Sequence, residues 1–171
     1  MDIHMQNNEN EILKRMRSRG DEEFVRNLIN KRKDYYPQIK LRSTFIVGYP
    51  GESRRAFKKL IQFLEHARLD YVGFFPYFRE ENTVSYFLKK QVPAYIKKLR
   101  LKRIQKVQQK IAFEKASQHL GSKIKVLVDF YDQNSGEYVG HSEFLSPSVD
   151  FDVKIVDNGN IKAGEFVSVK F

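Results

Sequence analysis

The stretch that most limits what this chain can become is Ser43-Thr44-Phe45-Ile46-Val47-Gly48, followed at once by Tyr49-Pro50-Gly51-Glu52. β-Branched and aromatic side chains fit a pleated, packed surface, so residues 43–48 are predicted to form a buried strand. Gly48, Pro50 and Gly51 let the backbone bend sharply and approach whatever lies above the strand end, and Ser53 is placed to cap a helix. That helix is predicted to run to about Arg68, with Phe57, Leu60, Ile61 and Leu64 on one apolar face. Strand, glycine turn and helix form the unit of a parallel α/β sheet or barrel, whose ligands sit beyond the carboxyl ends of the strands. The turn at residues 48–52 is then where a ligand would be met; the alternative is a turn that only joins two elements.

Asp2-Ile3-His4-Met5 reads as a short strand, and the asparagines after Gln6 can cap a helix carrying Ile12, Leu13 and Met16. The basic run Lys14, Arg15, Arg17 and Arg19 reads as a solvated helix end. Gly20 closes that segment. Asp21, Glu22 and Glu23 open a second helix with Phe24, Val25, Leu28 and Ile29, ending before Pro37. Residues 70–77 form a second strand pointing the same way as the first, so its aromatic residues either line the same mouth or join the core.

Pro93 opens the longest helix, to about His119, with Ile96, Leu99, Ile104, Val107 and Ile111 as its buried seam. Its lysines and arginines either approach ribosomal or transfer RNA or, lacking interleaved aromatics, make a soluble basic face. From Gly121 the period changes to alternation. Ile124, Val126, Val128 and Phe130 point one way along a strand, and Asn134-Ser135-Gly136 turns it back. Further strands are expected at residues 149–156, turned at Asn158-Gly159, and 165–171. So many short strands predict a small closed barrel, because closure removes exposed edges. The expected organisation is an α/β part over residues 1–119 and a β-barrel over residues 120–171.

Charge divides the same way. The net charge of +10 splits into +13 over residues 1–119, with 26 Lys and Arg against 13 Asp and Glu, and −3 over residues 120–171, with 5 against 8. The basic part suits nucleic acid and the acidic part a basic protein surface. The chain has no cysteine, which excludes disulfides, thiolate catalysis and cysteine-held clusters within it. His4, His66, His119 and His141 are scattered without metal-ligand spacing, so no zinc site is predicted. No apolar run approaches the roughly 20 residues of a membrane span and no signal-peptide h-region is present, which predicts a cytoplasmic protein.

Several separated blocks resemble one family. Asp2-Ile3-His4-Met5-Gln6, Ile12-Leu13-Lys14-Arg15-Met16, residues 41–52, Arg68-Leu69-Asp70-Tyr71-Val72-Gly73, Gln91-Val92-Pro93 and Gln108-Gln109-Lys110-Ile111 are similar, in order and spacing, to the carboxyl-terminal part of the methylthiotransferases of the radical S-adenosylmethionine superfamily. Arg42-Ser43-Thr44-Phe45 resembles the RimO type, which modifies an aspartate of small-subunit ribosomal protein twelve, more than the MiaB type, which modifies tRNA and tends to carry aspartate where Thr44 stands. The last fifty residues look like a TRAM domain, an OB-like barrel that presents the substrate, and Pro147-Ser148-Val149-Asp150 resembles a segment of it.

The resemblance implies a fold in which residues 1–119 are the end of an incomplete TIM-like barrel, beginning where the family's fourth strand would be. It implies S-adenosylmethionine and two four-iron-four-sulfur clusters in the full-length family, although this chain can hold no cluster. Gln6 and Thr44 are then expected near the amino-acid and ribose parts of S-adenosylmethionine, with Ile46, Val47 and Gly48 beside its adenine. Partners implied are a basic ribosomal protein and an upstream chain carrying the cluster domains, joined through the open edge at residues 2–5. Departures from the family are the missing cysteine sets, Ser18 where an arginine is expected with Arg17 and Arg19 flanking it, His141 in place of a frequent arginine, and the lack of a tail beyond Phe171. Three readings follow: part of an enzyme inactive alone, a non-catalytic module binding ribosomal protein or tRNA, or a gene remnant whose open strand edges would make it poorly soluble.

Overall fold

The computed structural model describes residues 1–18, 22–118, 120–142, 152–156 and 161–170. Arg19, Gly20, Asp21, His119, the Pro147-Ser148-Val149-Asp150 segment, the turn expected at Asn158-Gly159 and Phe171 lie outside the described residues. The chain divides into two compact units, Met1–Lys115 and Ala116–Phe171.

In the first unit, strands β1 (Asp2–Gln6), β2 (Arg42–Val47) and β3 (Tyr71–Pro76) lie side by side, parallel and in sequence order. Helices α1 (Asn10–Met16) and α2 (Glu22–Tyr35) connect β1 to β2, and α3 (Arg54–Ala67) connects β2 to β3. α4 (Ala94–Ser117) follows a single 3-10 turn at Val84–Phe87 that the sequence had not suggested. Parallel crossovers are right-handed almost without exception, so connections that all step in one direction put their helices on one face of the sheet. The core agrees: Met5, Phe45 and Val47 from the strands pack with Ile29 of α2, Leu60, Phe63 and Leu64 of α3 and Ile104 of α4.

α3 is formed by its own sequence signals. Ser53 sits in extended backbone and its hydroxyl accepts the Ala56 N–H at 3.0 Å, satisfying one of the open donors of the first turn. Arg68 ends the helix in the left-handed region at φ 47°, its N–H donating to the Leu64 carbonyl. Between these caps Phe57, Leu60, Ile61 and Leu64 are buried as their spacing requires. The Phe45 ring on β2 meets Phe63 edge-on, centroids 6.2 Å apart, and stacks on Phe74 at 6.1 Å.

One expectation about a buried face fails here. Leu99, expected in the buried seam of α4, is 62% exposed. At about 100° per residue Leu99 stands about 140° around the helix from Ile104, so the two cannot both face the core. α4 is held instead by Ile104, Gln108 and Ile111, and the Gln108 amide donates to the Leu69 carbonyl at 3.1 Å. Farther along, Lys115 reaches Asp70 at 2.6 Å, and Asp70 also accepts the Leu41 N–H at 2.8 Å.

The second unit is an antiparallel sheet of β4 (Lys123–Asp132), β5 (Glu137–Ser142), β6 (Val153–Ile155) and β7 (Phe166–Lys170), in the order β6-β5-β4-β7. Ile124, Val126 and Val128 face a core shared with Ile155, Val167 and Val169. Phe130 does not join them: a bulge between Val128 and Phe130 adds one residue to β4 and turns Phe130 outward. Among the described residues the sheet is open, with no pairing between β6 and β7.

Truncating Leu64 to alanine empties a fully enclosed site, so the first unit is expected to lose about 3 kcal/mol, read from urea unfolding and from exchange of α3 amides. Gly140 lies against the carbonyl of Leu127, where a Cβ would run into backbone of the paired strand. Gly140→Ala is therefore expected to lower the melting temperature of the second unit and to reduce the measured amide protection of β4.

Candidate functional site

β2 alternates strictly in burial. Ser43, Phe45 and Val47 face the helices and are sealed, while Arg42, Thr44 and Ile46 face the other way and are half-buried. A strand reverses its side chains at every residue, so burying Phe45 and Val47 under α3 forces Thr44 and Ile46 onto the opposite face, where Ile46 packs against a smaller cluster that includes Ile12 of α1 and Tyr77. The register with β3 adds their neighbours: Arg42 opposite Tyr71, Thr44 opposite Gly73, Ile46 opposite Phe75. The Arg42 guanidinium lies over the Tyr71 ring, 5.3 Å from its centroid, and Phe75 is 57% exposed. Gly73 leaves a notch in this surface, floored by the Thr44 hydroxyl, which stands 3.6 Å from where a Cβ on Gly73 would lie. The result is a shallow surface with a guanidinium at the amino ends of the parallel strands, then a hydroxyl, and two apolar side chains toward their carboxyl ends.

Gln6 ends β1 beside this surface. It is half-buried, in the left-handed region at φ 42°, and paired with Phe45 across an irregularity in register. Asn7 fastens the turn that follows: its side-chain oxygen accepts the N–H groups of Asn8 at 2.9 Å and Glu9 at 3.0 Å, and its amide reaches the Ile46 carbonyl at 3.5 Å. Asn8 is buried with neither amide atom partnered among the described residues.

Sequence reasoning put the ligand at the glycine turn, and the structure shows what occupies that turn. Gly48, at φ 80°, donates its N–H to the Glu52 carboxylate at 3.1 Å, and the aliphatic stem of Lys97 fills the space where a side chain on Gly48 would stand. Lys97 is itself tied to the Tyr77 carbonyl at 2.7 Å. The Arg15 guanidinium fills the corresponding space at Gly51. Glu52 is buried and meets Arg100 of α4 at 2.5 Å, and Arg100 also donates to the Glu52 carbonyl at 3.0 Å. Burial pushes the Glu52 carboxyl above its ordinary value of 4.5, against the opposing pull of the Gly48 N–H and Arg100. Beside the turn, Tyr49 and Tyr77 meet edge to face with centroids 5.2 Å apart, and the Tyr49 hydroxyl donates to the Arg15 carbonyl.

The five residues proposed from the sequence thus separate. Thr44 and Ile46 share the open face and Gln6 stands at the end of the neighbouring strand. Val47 points into the helix-covered core and Gly48 is packed under Lys97. Sequence reasoning missed Lys97, Arg100 and Arg15, because nothing local ties residue 97 to residue 48. Arg17 caps α1 in the left-handed region, and Ser18 donates its N–H to the Leu13 carbonyl at 3.0 Å. The residues present suit an organic cofactor with polar and flat apolar parts. They do not suit an iron-sulfur cluster, since the chain has no cysteine and no group of three metal-ligating side chains is assembled among the described residues.

No family model matches the chain. It is 38% identical over 157 residues to ribosomal protein uS12 methylthiotransferase RimO of Alkaliphilus oremlandii, an overlap of 92% of this chain and 36% of that protein. RimO of Pelotomaculum thermopropionicum and RimO of Salmonella arizonae are each 37% identical over 170 residues, covering 99% of this chain and 38% of theirs. The chain belongs to the RimO family. It spans rather more than a third of the length of these curated relatives, consistent with a carboxyl-terminal part of RimO. The similarity to RimO runs through both units rather than through one motif, since it covers nearly every residue.

Glu52→Ala would leave the Arg100 guanidinium and the Gly48 N–H without their acceptor, and is expected to cost the first unit about 3 kcal/mol in urea unfolding. The raised Glu52 pKa has a sign that can be measured. From pH 4.5 upward to the folded-state value, the unfolded chain releases this proton first, so stability falls with rising pH across that window and is level above it. Glu52→Gln is expected to remove that fall, seen as a flatter stability profile than wild type in that window.

Proposed function

We propose that this chain supplies the carboxyl-terminal part of a uS12 methylthiotransferase, with residues 1–119 as the end of a radical S-adenosylmethionine barrel and residues 120–171 as a TRAM-type substrate-binding barrel. The observation that carries this is identity of 37% to RimO over 99% of the chain. Strands in sequence order with helices on one face support the barrel reading, because singly wound parallel strands leave their other face for a ligand.

In this reading Gln6, Thr44 and Ile46 present side chains to S-adenosylmethionine, while Val47 and Gly48 back the same wall, Val47 by filling the core behind it and Gly48 by letting Lys97 close over the turn. When bound, S-adenosylmethionine supplies the radical that takes hydrogen from the substrate carbon. The chain's own residues hold and orient it: Thr44 through its hydroxyl, Ile46 by excluding water from one side, and Gln6 through its amide. The clusters belong to another part of the protein. The acidic balance of residues 120–171 suits a basic ribosomal protein as substrate, the modified group being an aspartate. The place of work is the cytoplasm, and no helix among the described residues is long and apolar enough to cross a membrane.

The test combines this chain with the cysteine-bearing remainder of the Salmonella arizonae RimO, under reducing anaerobic conditions with S-adenosylmethionine. Methylthiolation of uS12, read by mass spectrometry, is expected only when both parts are present. Thr44→Ala is expected to weaken S-adenosylmethionine binding by the complex about fivefold, the loss of one hydrogen bond. Absence of any complex between the two parts, or modification of tRNA in place of uS12, would overturn the proposal.

A further inference from the structure

From Ala94 to Phe113, α4 contains seven Lys and Arg and not one Asp or Glu. Two of those seven are used inward or at the turn, Lys97 bonding the Tyr77 carbonyl and Arg100 pairing with Glu52, while Lys110 stands 3.9 Å from Glu114 on the outer side. Lys98, Lys102, Arg103, Lys106 and Lys110 are all on the exposed side. At about 100° per residue Tyr95 and Phe113, eighteen residues apart, stand at the same angle on the helix five turns from one another. Lys98, Lys102, Lys106 and Lys110 fall between them at angles of about −60°, −20°, +20° and +60°, a ridge that crosses the face from one side to the other. The two rings are 66% and 75% exposed. The aromatics that seemed absent from the helix when read as a sequence are therefore present on the basic face, one at each end of it.

Successive lysines four apart repel one another, and no acid follows at i+4 to relieve the pairs 98–102 and 102–106. Such an arrangement is weakened by itself and strengthened by an anion that spans several cations. A row of cations about 6 Å apart along the helix, flanked by exposed rings, matches a chain of phosphates with bases free to stack. An acidic protein surface would satisfy the charges and bury the rings, but it carries no regular line of anions to match cations spaced about 6 Å apart along one ridge.

We infer that the exposed face of α4 is an RNA-binding surface, with Lys98, Lys102, Lys106 and Lys110 on the phosphate backbone and Tyr95 stacking on an unpaired base. This goes beyond the methylthiotransferase reading and does not rest on it, so a failure here leaves that reading standing.

The test is fluorescence anisotropy of a labelled RNA hairpin with a single-stranded loop, titrated with the full chain at several salt concentrations. The variant carrying Lys98→Gln, Lys102→Gln, Lys106→Gln and Lys110→Gln, whose fold is checked by circular dichroism, is expected to bind about a hundredfold more weakly near 0.1 M salt and to lose about three units from the slope of log affinity against log salt. A control carrying Lys31→Gln, Lys58→Gln, Lys162→Gln and Lys170→Gln removes the same charge elsewhere and is expected to keep nearly all the affinity and slope. Tyr95→Ala is expected to weaken binding of the looped hairpin about tenfold with no change of slope. Equal losses from the two quadruple variants, binding of polyglutamate as tight as that of the hairpin, or no binding at 0.1 M salt would each overturn the inference.

Discussion

Phe45 and Val47 decide the orientation of everything on β2. Both are fully enclosed by residues of α3 and its neighbours, and the two-residue period of a strand leaves Thr44 and Ile46 no choice of face. A slip of one residue would bury the threonine hydroxyl and expose two large apolar side chains. The face on which a ligand can be met is thus a consequence of where the hydrophobic energy lies, on the opposite side of the same strand. The ordering of β1, β2 and β3 extends that consequence to Gln6 and to Gly73.

The second constraint is polar. α4 buries only a narrow apolar seam, and its place within the first unit is set by groups that meet chain atoms: Arg100 on Glu52, Gln108 on the Leu69 carbonyl, Lys115 on Asp70. Burial lowers the Lys115 pKa, with the hydrogen bond and charge of Asp70 acting in the opposite sense. These attachments all lie on the inner side of the helix. They fix its rotation, and with it the direction in which the remaining lysines point.

Local signals in the sequence were readable where one residue suffices to produce them. Ser53 caps α3 as its type and position suggest, and the run expected as a strand over residues 43–48 is one over Arg42–Val47, because its β-branched and aromatic residues favour little else. What failed were inferences that needed a second, distant residue. Gly48 and Gly51 looked like room for a ligand, yet Lys97 and Arg15 take that room, contacts made across 49 and 36 residues of chain. Leu99 was read as core from hydrophobicity alone, although its angle on α4 opposes Ile104, and Phe130 was placed inward because a bulge leaves no trace in an alternating pattern. Family membership was legible because six separated blocks agree in order and spacing, information that no single turn carries.

The central claim is that the face of β2 carrying Thr44 and Ile46 is the cofactor-facing one. Methyl-resolved NMR of the chain joined with the cluster-bearing part of a RimO relative, titrated with S-adenosylmethionine, tests it most directly. The account predicts that the methyl signals of Thr44 and Ile46 move while those of Val47 stay in place; Val47 moving with Thr44 and Ile46 unchanged would contradict it.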